Sequence, residues 1–216
     1  MIDFKNRGDA VDIYVYGEIT SSAWDDSDVT TDTFREKLDD AGGKPVNVYV
    51  NSGGGSVFVG QAIASLLERY EGSKTCYIDG LCASIATKIP FACDKTYFAE
   101  GAYFMIHRAS AVAWGNYDDL LKMADTLEQI DNGLAKTYVK NSTMTKEEAL
   151  SKMKAETWYT SDNINEDFNF EIVEGKEVAA YVSEETLKNY INKPDGMTTA
   201  VPDKPANTIG LEIAIL

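Results

Sequence analysis

Histidine and cysteine are scarce in this 216-residue chain. The three cysteines, Cys76, Cys82 and Cys93, are odd in number, and their spacing fits neither a zinc site nor a disulfide framework. We therefore predict no metal and no cofactor, and a reducing, cytoplasmic environment suits the free thiols. His107 is the one side chain whose ordinary pKa suits proton transfer near neutral pH. If the protein performs base-assisted nucleophilic chemistry, His107 is the expected base.

Long apolar runs and clustered positive charge are also missing. The longest apolar stretches, such as residues 62–67 and 210–216, are far shorter than the ~20 residues of a membrane-spanning helix. The N-terminus lacks the apolar core of an export signal. The 20 Lys and Arg residues are outnumbered by 35 Asp and Glu residues, which gives a formal net charge of −15. Because phosphate binding requires basic clusters, nucleic acid is not an expected partner. A membrane is not an expected partner either, because the apolar stretches are too short to span it.

Hydrophobic periodicity predicts strands that alternate with helices. The main predicted strands are residues 11–19, 45–50 and 74–79, and the main predicted helices are residues 32–40, 57–70 and 116–139. Shorter strands are expected at residues 96–98, 103–106 and 168–173, and Thr145 with Glu148 predicts a capping box at the start of a further helix. Ser161 is expected to cap a shorter helix before the last of these strands. This alternation favours an α/β fold with right-handed crossovers. We expect one domain over residues 1–192 and an irregular C-terminal tail over residues 193–216.

Two predicted strand-to-helix turns hold residues suited to chemistry. Gly53, Gly54 and Gly55 allow close backbone approach to a ligand, and their N–H groups can face a developing oxyanion. They form neither a P-loop nor a dinucleotide-binding motif, because the residues that follow do not fit either pattern. Ser84 follows the next strand, near a helix start that stabilises negative charge. Together with His107, these groups supply three of the four parts of an acyl-transfer site. Taken singly, a glycine-rich turn, a serine at a helix start and a buried core histidine are each ordinary structural features.

Three segments carry a resemblance to a known family. Residues 51–56 (Asn-Ser-Gly-Gly-Gly-Ser), 79–86 (Asp-Gly-Leu-Cys-Ala-Ser-Ile-Ala) and 104–108 (Phe-Met-Ile-His-Arg) are similar to the signature segments of the Clp protease proteolytic subunit family, peptidase family S14. The likeness covers roughly residues 10–175 and is closest to the phage and prophage branch, the Clp-like head-maturation proteases. It implies a crotonase-like β-β-α spiral in one domain, with a protruding long helix from Asn116.

The resemblance also implies a role for each residue of the site. Ser84 would be the nucleophile and His107 the general base, and the backbone N–H groups of Gly55 and Ile85 would form the oxyanion hole. The rest of the glycine loop, Gly53 and Gly54, would bind substrate.

The third member of the catalytic triad is open. The family has an aspartate where this chain has Glu156, in the sequence Lys-Ala-Glu-Thr-Trp-Tyr. A glutamate can support an imidazolium, but its extra methylene requires a different backbone position. Asp162, or a serine–histidine dyad without an acid, are the alternatives. Two residues after the serine also depart from the family: Pro90 is expected to kink the predicted helix, and Lys88 is costly if it is buried without a partner.

The implied function is that of a serine endopeptidase acting on peptides or unfolded proteins inside a ring-shaped homo-oligomer, a heptamer or a double ring. The phage branch implies that it processes capsid or scaffold protein. An ATP-driven unfoldase is not an expected partner, because little chain precedes the first predicted strand to form the segment that contacts it. Two other functions stay open: a crotonase-fold protein that binds acyl-CoA, and a catalytically inactive Clp-like assembly protein.

Overall fold

A twisted sheet with parallel central strands forms the framework of the molecule. The computed structural model describes residues 4–7, 10–22, 28–174 and 190–194. Its strands are β1 (Phe4–Arg7), β2 (Ala10–Tyr16), β3 (Val46–Ser52), β4 (Lys74–Ala83), β5 (Lys95–Ala99), β6 (Tyr103–Ile106), β7 (Thr157–Tyr159) and β8 (Glu171–Val173). They follow the order β1-β2-β3-β4-β5-β8, with β6 paired to β4 and β7 paired to β6. Among these strands, the β1–β2 and β6–β7 pairs are antiparallel and the others are parallel.

The alternation of side chains along the strands gives the sheet two different faces. On β3, Val46, Val48 and Val50 are buried against the helices. On the other face, tyrosines of four neighbouring strands stack in register, with ring centroids 4.7, 4.9 and 5.0 Å apart. The stacked tyrosines are Tyr14, Tyr49, Tyr77 and Tyr97. These cross-strand pairs fix the register that aligns the strand ends.

Within the described ranges, five helices pack on or beside the sheet: α1 (Thr31–Ala41), α2 (Val57–Arg69), α3 (Lys88–Phe91), α4 (Tyr117–Lys140) and α5 (Lys146–Lys154). The predicted capping box of Thr145 and Glu148 is present at the start of α5. The first half of α4 is largely exposed, and its last turns are buried through Leu134 and Tyr138. No helix within the described ranges is both long and apolar enough to cross a bilayer.

The long strand β4 divides the sheet and creates the edge where the candidate site lies. Its first part pairs with β5, whereas Leu81 to Ala83 pair with β6. The register of β3 against β4 shifts beyond Val50, and the Asn51 side chain accepts a hydrogen bond from the Leu81 N–H (2.9 Å). The carboxyl ends of β3, β4 and β6 consequently meet at one place.

The predicted alternation of strands and helices is confirmed, but three segments differ from the prediction. The antiparallel strands β1 and β7 were not predicted. The helix expected to begin near Ser161 is a short 3-10 turn at Ile164–Glu166. The predicted boundary before the C-terminal tail stays a prediction, since residues 195–216 lie outside the described part of the chain.

The segment after Ser84 is also shorter than expected. It is a 3-10 turn, Ser84–Thr87, followed by the single-turn helix α3. The expectation of a kinked helix is wrong because Pro90 lies in the first turn of α3, where a helix does not use the backbone N–H. Lys88 is half-buried, which lowers the pKa of its ammonium group, and it donates a hydrogen bond to the Gln61 side chain. Its charge therefore has a polar partner.

Candidate active site

Ser84 and His107 meet at the carboxyl ends of two neighbouring strands. Ser84 directly follows β4 and His107 directly follows β6, which pairs in parallel with the end of β4. Their side chains are 2.7 Å apart, measured from the Ser84 Oγ to the His107 Nε2. This is the hydrogen bond through which an imidazole takes a proton from a serine. Ser84 has a φ of 56°, so that the backbone turns sharply at the hydroxyl.

Two hydroxyl groups hold the turn at Ser84. The Thr87 hydroxyl donates to the Ser84 carbonyl (2.5 Å). The Tyr138 hydroxyl lies 2.8 Å from the same Thr87 oxygen, and both groups are buried. Because the single proton of Thr87 is already donated, Tyr138 is the donor in the second bond. The end of α4 thereby supports the backbone of Ser84.

The glycine loop lies directly against this turn. Gly54 has a φ of 92°, and a Cβ atom at this position would be 2.7 Å from the Ser84 Cβ and 2.8 Å from the Ala83 oxygen. Only glycine fits between these atoms. Ser52 anchors the loop: its hydroxyl donates to the Gly17 carbonyl (2.6 Å) and accepts from the Gly54 N–H (3.1 Å).

The orientation of the next glycine turns a backbone donor away from its paired strand. The Ile19 N–H bonds to the Gly54 carbonyl (2.8 Å), and the Ser56 N–H bonds to the Ile19 carbonyl (2.7 Å). In a parallel bridge of this kind, the N–H of the intervening residue points away from the bonded strand. The Gly55 N–H therefore points toward the β4 side, where Ser84 lies. The Ile85 nitrogen borders the same space, 3.1 Å from where a Cβ on Gly54 would be.

The environment of His107 favours its neutral form. Burial lowers the pKa of His107, and the negative charges of Glu156 and Asp131 oppose this effect. Asp131 lies on α4 and is only 6% exposed. Its carboxylate accepts from the Ala109 N–H (2.8 Å) and lies 3.6 Å from the Arg108 Nε. It therefore holds the chain that follows His107.

Glu156 lies near His107 but binds another part of the chain. Its carboxylate accepts from the backbone N–H groups of Ile191 (3.1 Å) and Asn192 (2.7 Å) and makes a long contact with the Trp158 indole N–H (3.4 Å). Within the described residues, no hydrogen bond joins Glu156 to His107. Asp162 is exposed and does not contribute to the charge that acts on His107.

Two residues of this site were not identified from the sequence. Asp131 sits on the buried stripe of α4 three residues before Leu134, and an acidic residue in an apolar stripe is a signal that was available. Tyr190 carries no such signal. Its hydroxyl donates to the Gly53 carbonyl, and its ring meets the His107 ring edge to face at 5.9 Å. No group of three metal-ligating side chains occurs within the described ranges.

Comparison with known proteins finds similarity to Clp proteases. The family model described as Clp protease matches residues 26–167. The ATP-dependent Clp protease proteolytic subunit 2 of Rhodococcus jostii is 27% identical over 120 residues, which is 55% of this chain and 62% of that protein. The protein of the same name from Corynebacterium efficiens is 26% identical over 125 residues, 57% of this chain and 63% of that protein. The chain thus spans about three fifths of the length of these curated relatives.

The solved structures include a protein of the same architecture. A mutant of ClpP1 from Listeria monocytogenes superimposes with a TM-score of 0.66, covering 77% of this chain and 92% of that one. Because the sequence identity is 16%, this match supports the fold and no further property. The predicted ClpP-type α/β fold is confirmed.

Proposed function

Because this chain belongs to the Clp protease family, we propose that it is a serine endopeptidase with Ser84 as nucleophile and His107 as general base. The observation that carries this proposal is the 2.7 Å contact between the Ser84 Oγ and the His107 Nε2. Burial supports it further, because a His107 with a lowered pKa is neutral at physiological pH and free to accept a proton.

The reaction follows the usual course of acyl transfer. The Ser84 Oγ attacks the carbonyl carbon of the scissile peptide while its proton passes to the His107 Nε2. The Gly55 and Ile85 N–H groups stabilise the negative oxygen of the tetrahedral intermediate. His107 then returns the proton to the leaving amine, which leaves an acyl ester on Ser84. A water molecule, deprotonated by His107, hydrolyses this ester and restores the free serine.

Glu156 is proposed as the carboxylate that supports the imidazolium form of His107. Its charge favours that form, and the charge of Asp131 adds to the effect. In the described conformation Glu156 acts through space rather than through a hydrogen bond to the imidazole. Asp131 contributes mainly by positioning, since it binds the Ala109 N–H two residues after the base.

The glycine loop is proposed to bind the substrate backbone. The Gly53 carbonyl can accept a hydrogen bond, since it accepts one from the Tyr190 hydroxyl in this structure. The contact between Gly54 and Ser84 places this acceptor beside the nucleophile. An extended peptide or unfolded segment, whose backbone N–H groups are unpaired, fits such a loop.

Labelling with a fluorophosphonate probe tests the proposal. We expect covalent modification of the wild type, complete loss in Ser84→Ala, and loss by a factor of ~10³ or more in His107→Ala. Ser65→Ala, a change on α2 outside the site, serves as the control and should label normally. A wild type that is unlabelled at any pH, or labelling that persists in Ser84→Ala, would refute the proposal.

We also propose that the chain assembles into rings, as the family resemblance implies. Apolar side chains are exposed before and along the first turns of α4, with fractional exposures of 103% for Val112, 100% for Trp114 and 47% for Leu121. Large exposed apolar groups within a short stretch are typical of contact surfaces. Sedimentation should give a multiple of the 23.8 kDa chain mass, and Leu121→Asp should reduce it. A strict monomer contradicts this part of the proposal.

The substrate proposed from the phage branch is capsid or scaffold protein. The sequence Glu156-Thr157-Trp158, which resembles that branch, supports it. Incubating the chain with a phage scaffold protein should give discrete fragments that Ser84→Ala does not produce. Cleavage of casein without cleavage of the scaffold protein would speak for a general protease instead.

A further inference from the structure

The segment of residues 190–192 lies across the proposed catalytic groups. Tyr190 is only 7% exposed although it lies far along the chain from the residues it contacts. Its ring meets the His107 ring at 5.9 Å and the Trp158 ring at 5.3 Å, edge to face in both cases. Its hydroxyl donates to the carbonyl of Gly53 in the glycine loop. Tyr190 therefore touches two groups that a substrate would also meet.

The rest of the segment is bound as a peptide ligand is bound. Glu156 accepts the backbone N–H groups of Ile191 and Asn192, at 3.1 and 2.7 Å. The Asn192 side-chain amide donates to the Ala155 carbonyl (3.0 Å). The segment thus combines backbone hydrogen bonds with one buried side chain, the arrangement by which extended peptides are recognised.

The pocket around Tyr190 is suited to one class of side chain. Its buried walls are Leu81, Ala83 and Met105, and Tyr103 and Trp158 pack at its edge. These groups exclude water and provide flat, polarisable contacts for an aromatic ring. The Gly53 carbonyl adds a single acceptor positioned for a ring hydroxyl. Because Ala83 immediately precedes Ser84, the pocket adjoins the nucleophile.

We propose that this aromatic pocket, formed by Leu81, Ala83, Met105, Tyr103 and Trp158, binds an aromatic side chain of the substrate, and that Tyr190 of the same chain competes for it. The inference rests on the proposed function, because the pocket is a substrate site only if Ser84 is the nucleophile. In the described conformation the chain therefore restrains its own activity. Displacing the segment would also release the two N–H groups from Glu156 and leave its carboxylate free to support His107.

Competition of this kind lowers the apparent affinity for substrate by the fraction of molecules in which the site is open. If Tyr190 occupies the pocket in about nine molecules out of ten, its removal raises the rate of reaction at Ser84 by about ten-fold. We expect Tyr190→Ala to show this increase in fluorophosphonate labelling and in kcat/KM. Tyr190→Phe should lie between it and the wild type, because the ring remains and only the bond to Gly53 is lost. Phe58→Ala removes an exposed aromatic ring away from the pocket and should not change the rate.

Substrate preference tests the chemistry of the pocket. Fluorogenic peptides that differ in one residue beside the scissile bond should be cleaved in the order Tyr above Leu above Asp. The ratio of the cleavage rates of the Tyr and Asp peptides should be larger in Tyr190→Ala than in the wild type. If the wild type is labelled, equal labelling of Tyr190→Ala would overturn the inference, and so would equal cleavage of the Tyr and Asp peptides.

A binding measurement separates this inference from the proposed catalysis. In the Ser84→Ala background, a fluorescent Tyr-containing peptide should bind about ten-fold more tightly once Tyr190→Ala is added. Tighter binding without labelling of any variant would refute the protease proposal and leave a peptide-binding pocket for which Tyr190 competes. Labelling that depends on Ser84, together with unchanged peptide binding, would support the protease proposal and refute the competition by Tyr190. The Tm of each variant is measured first; if Tyr190→Ala does not fold, Tyr190→Phe carries the same comparison at a smaller expected effect.

Discussion

Ser84 and Glu156 share a left-handed backbone conformation, with φ values of 56° and 53°. No other non-glycine residue in the described ranges has a positive φ. Ser84 directly follows β4 and Glu156 immediately precedes β7, so that each lies at a sharp change of chain direction. Such backbone costs roughly 1–2 kcal/mol per residue and is retained where the surroundings enforce it, most often at functional sites.

Replacing Ser84, the proposed nucleophile, by glycine and by alanine should separate the effect of backbone strain from that of the hydroxyl group. Both Ser84→Gly and Ser84→Ala lack the hydroxyl and should be inactive. Glycine adopts a positive φ without cost, so Ser84→Gly should exceed Ser84→Ala in the free energy of unfolding by about 1 kcal/mol. Urea denaturation measures the difference. Equal stability would mean that the strained turn at Ser84 does not exist in solution.

Gly54→Ala is expected to abolish activity, since its Cβ atom would overlap the Ser84 turn at 2.7 Å. Gly42 offers a matched control: it also has a positive φ, 58°, but a Cβ there would meet nothing within 4 Å. Gly42→Ala should cost about 1 kcal/mol of stability and leave the rate of labelling unchanged. If both variants lose activity equally, the contact between the glycine loop and Ser84 is not what positions the Ser84 hydroxyl.

The parts of this structure that could be predicted from the sequence are those set by local patterns. The run of valines in β3 and the capping box before α5 predicted their elements, because each signal is complete within a few neighbouring residues. The meeting of Ser84 and His107 was also predictable. Both follow strands, and the carboxyl ends of neighbouring parallel strands lie at one edge of a sheet.

The remaining parts of the site depend on contacts between distant segments. Strand β7 has three residues, too few to show a period, and its place is decided by pairing with β6. Tyr190 reaches Gly53 across 137 residues of sequence, and no local rule predicts that contact. The orientation of Glu156 depends in turn on residues 190–192. The role of Glu156 could not be predicted from the sequence, because its carboxylate binds residues 191 and 192, which no local sequence pattern relates to it.

The hydroxyl chain from Tyr138 through Thr87 to the Ser84 carbonyl should support both stability and activity. Thr87→Val leaves the Ser84 carbonyl and the buried Tyr138 hydroxyl without this partner, and we expect a loss of about 1–3 kcal/mol in the free energy of unfolding. Tyr138→Phe removes only the outer bond and should cost about 1 kcal/mol. Thr87→Ser keeps both bonds and should label at nearly the wild-type rate. If Thr87→Val also labels at that rate, the chain does not position Ser84.

The pH dependence of kcat/KM should report the protonation of His107 and its response to Glu156. Only the neutral imidazole accepts the serine proton, so activity falls as the pH drops through the pKa of His107. Burial lowers that pKa, which places the midpoint of the acidic limb below the usual value of about 6.5. Glu156→Gln removes a charge that raises the pKa, so the midpoint should move to still lower pH.

The same substitution should lower the plateau rate, because the imidazolium formed in the transition state loses a favourable charge. We expect a loss of more than roughly ten-fold but less than the ~10⁴-fold that follows neutralisation of a hydrogen-bonded triad carboxylate. Glu147→Gln, an exposed change in the first turn of α5, should alter neither the midpoint nor the plateau. A midpoint that moves to higher pH in Glu156→Gln would show that another group is the base. Wild-type activity that stays constant as the pH falls far below the usual histidine pKa of about 6.5 would show the same.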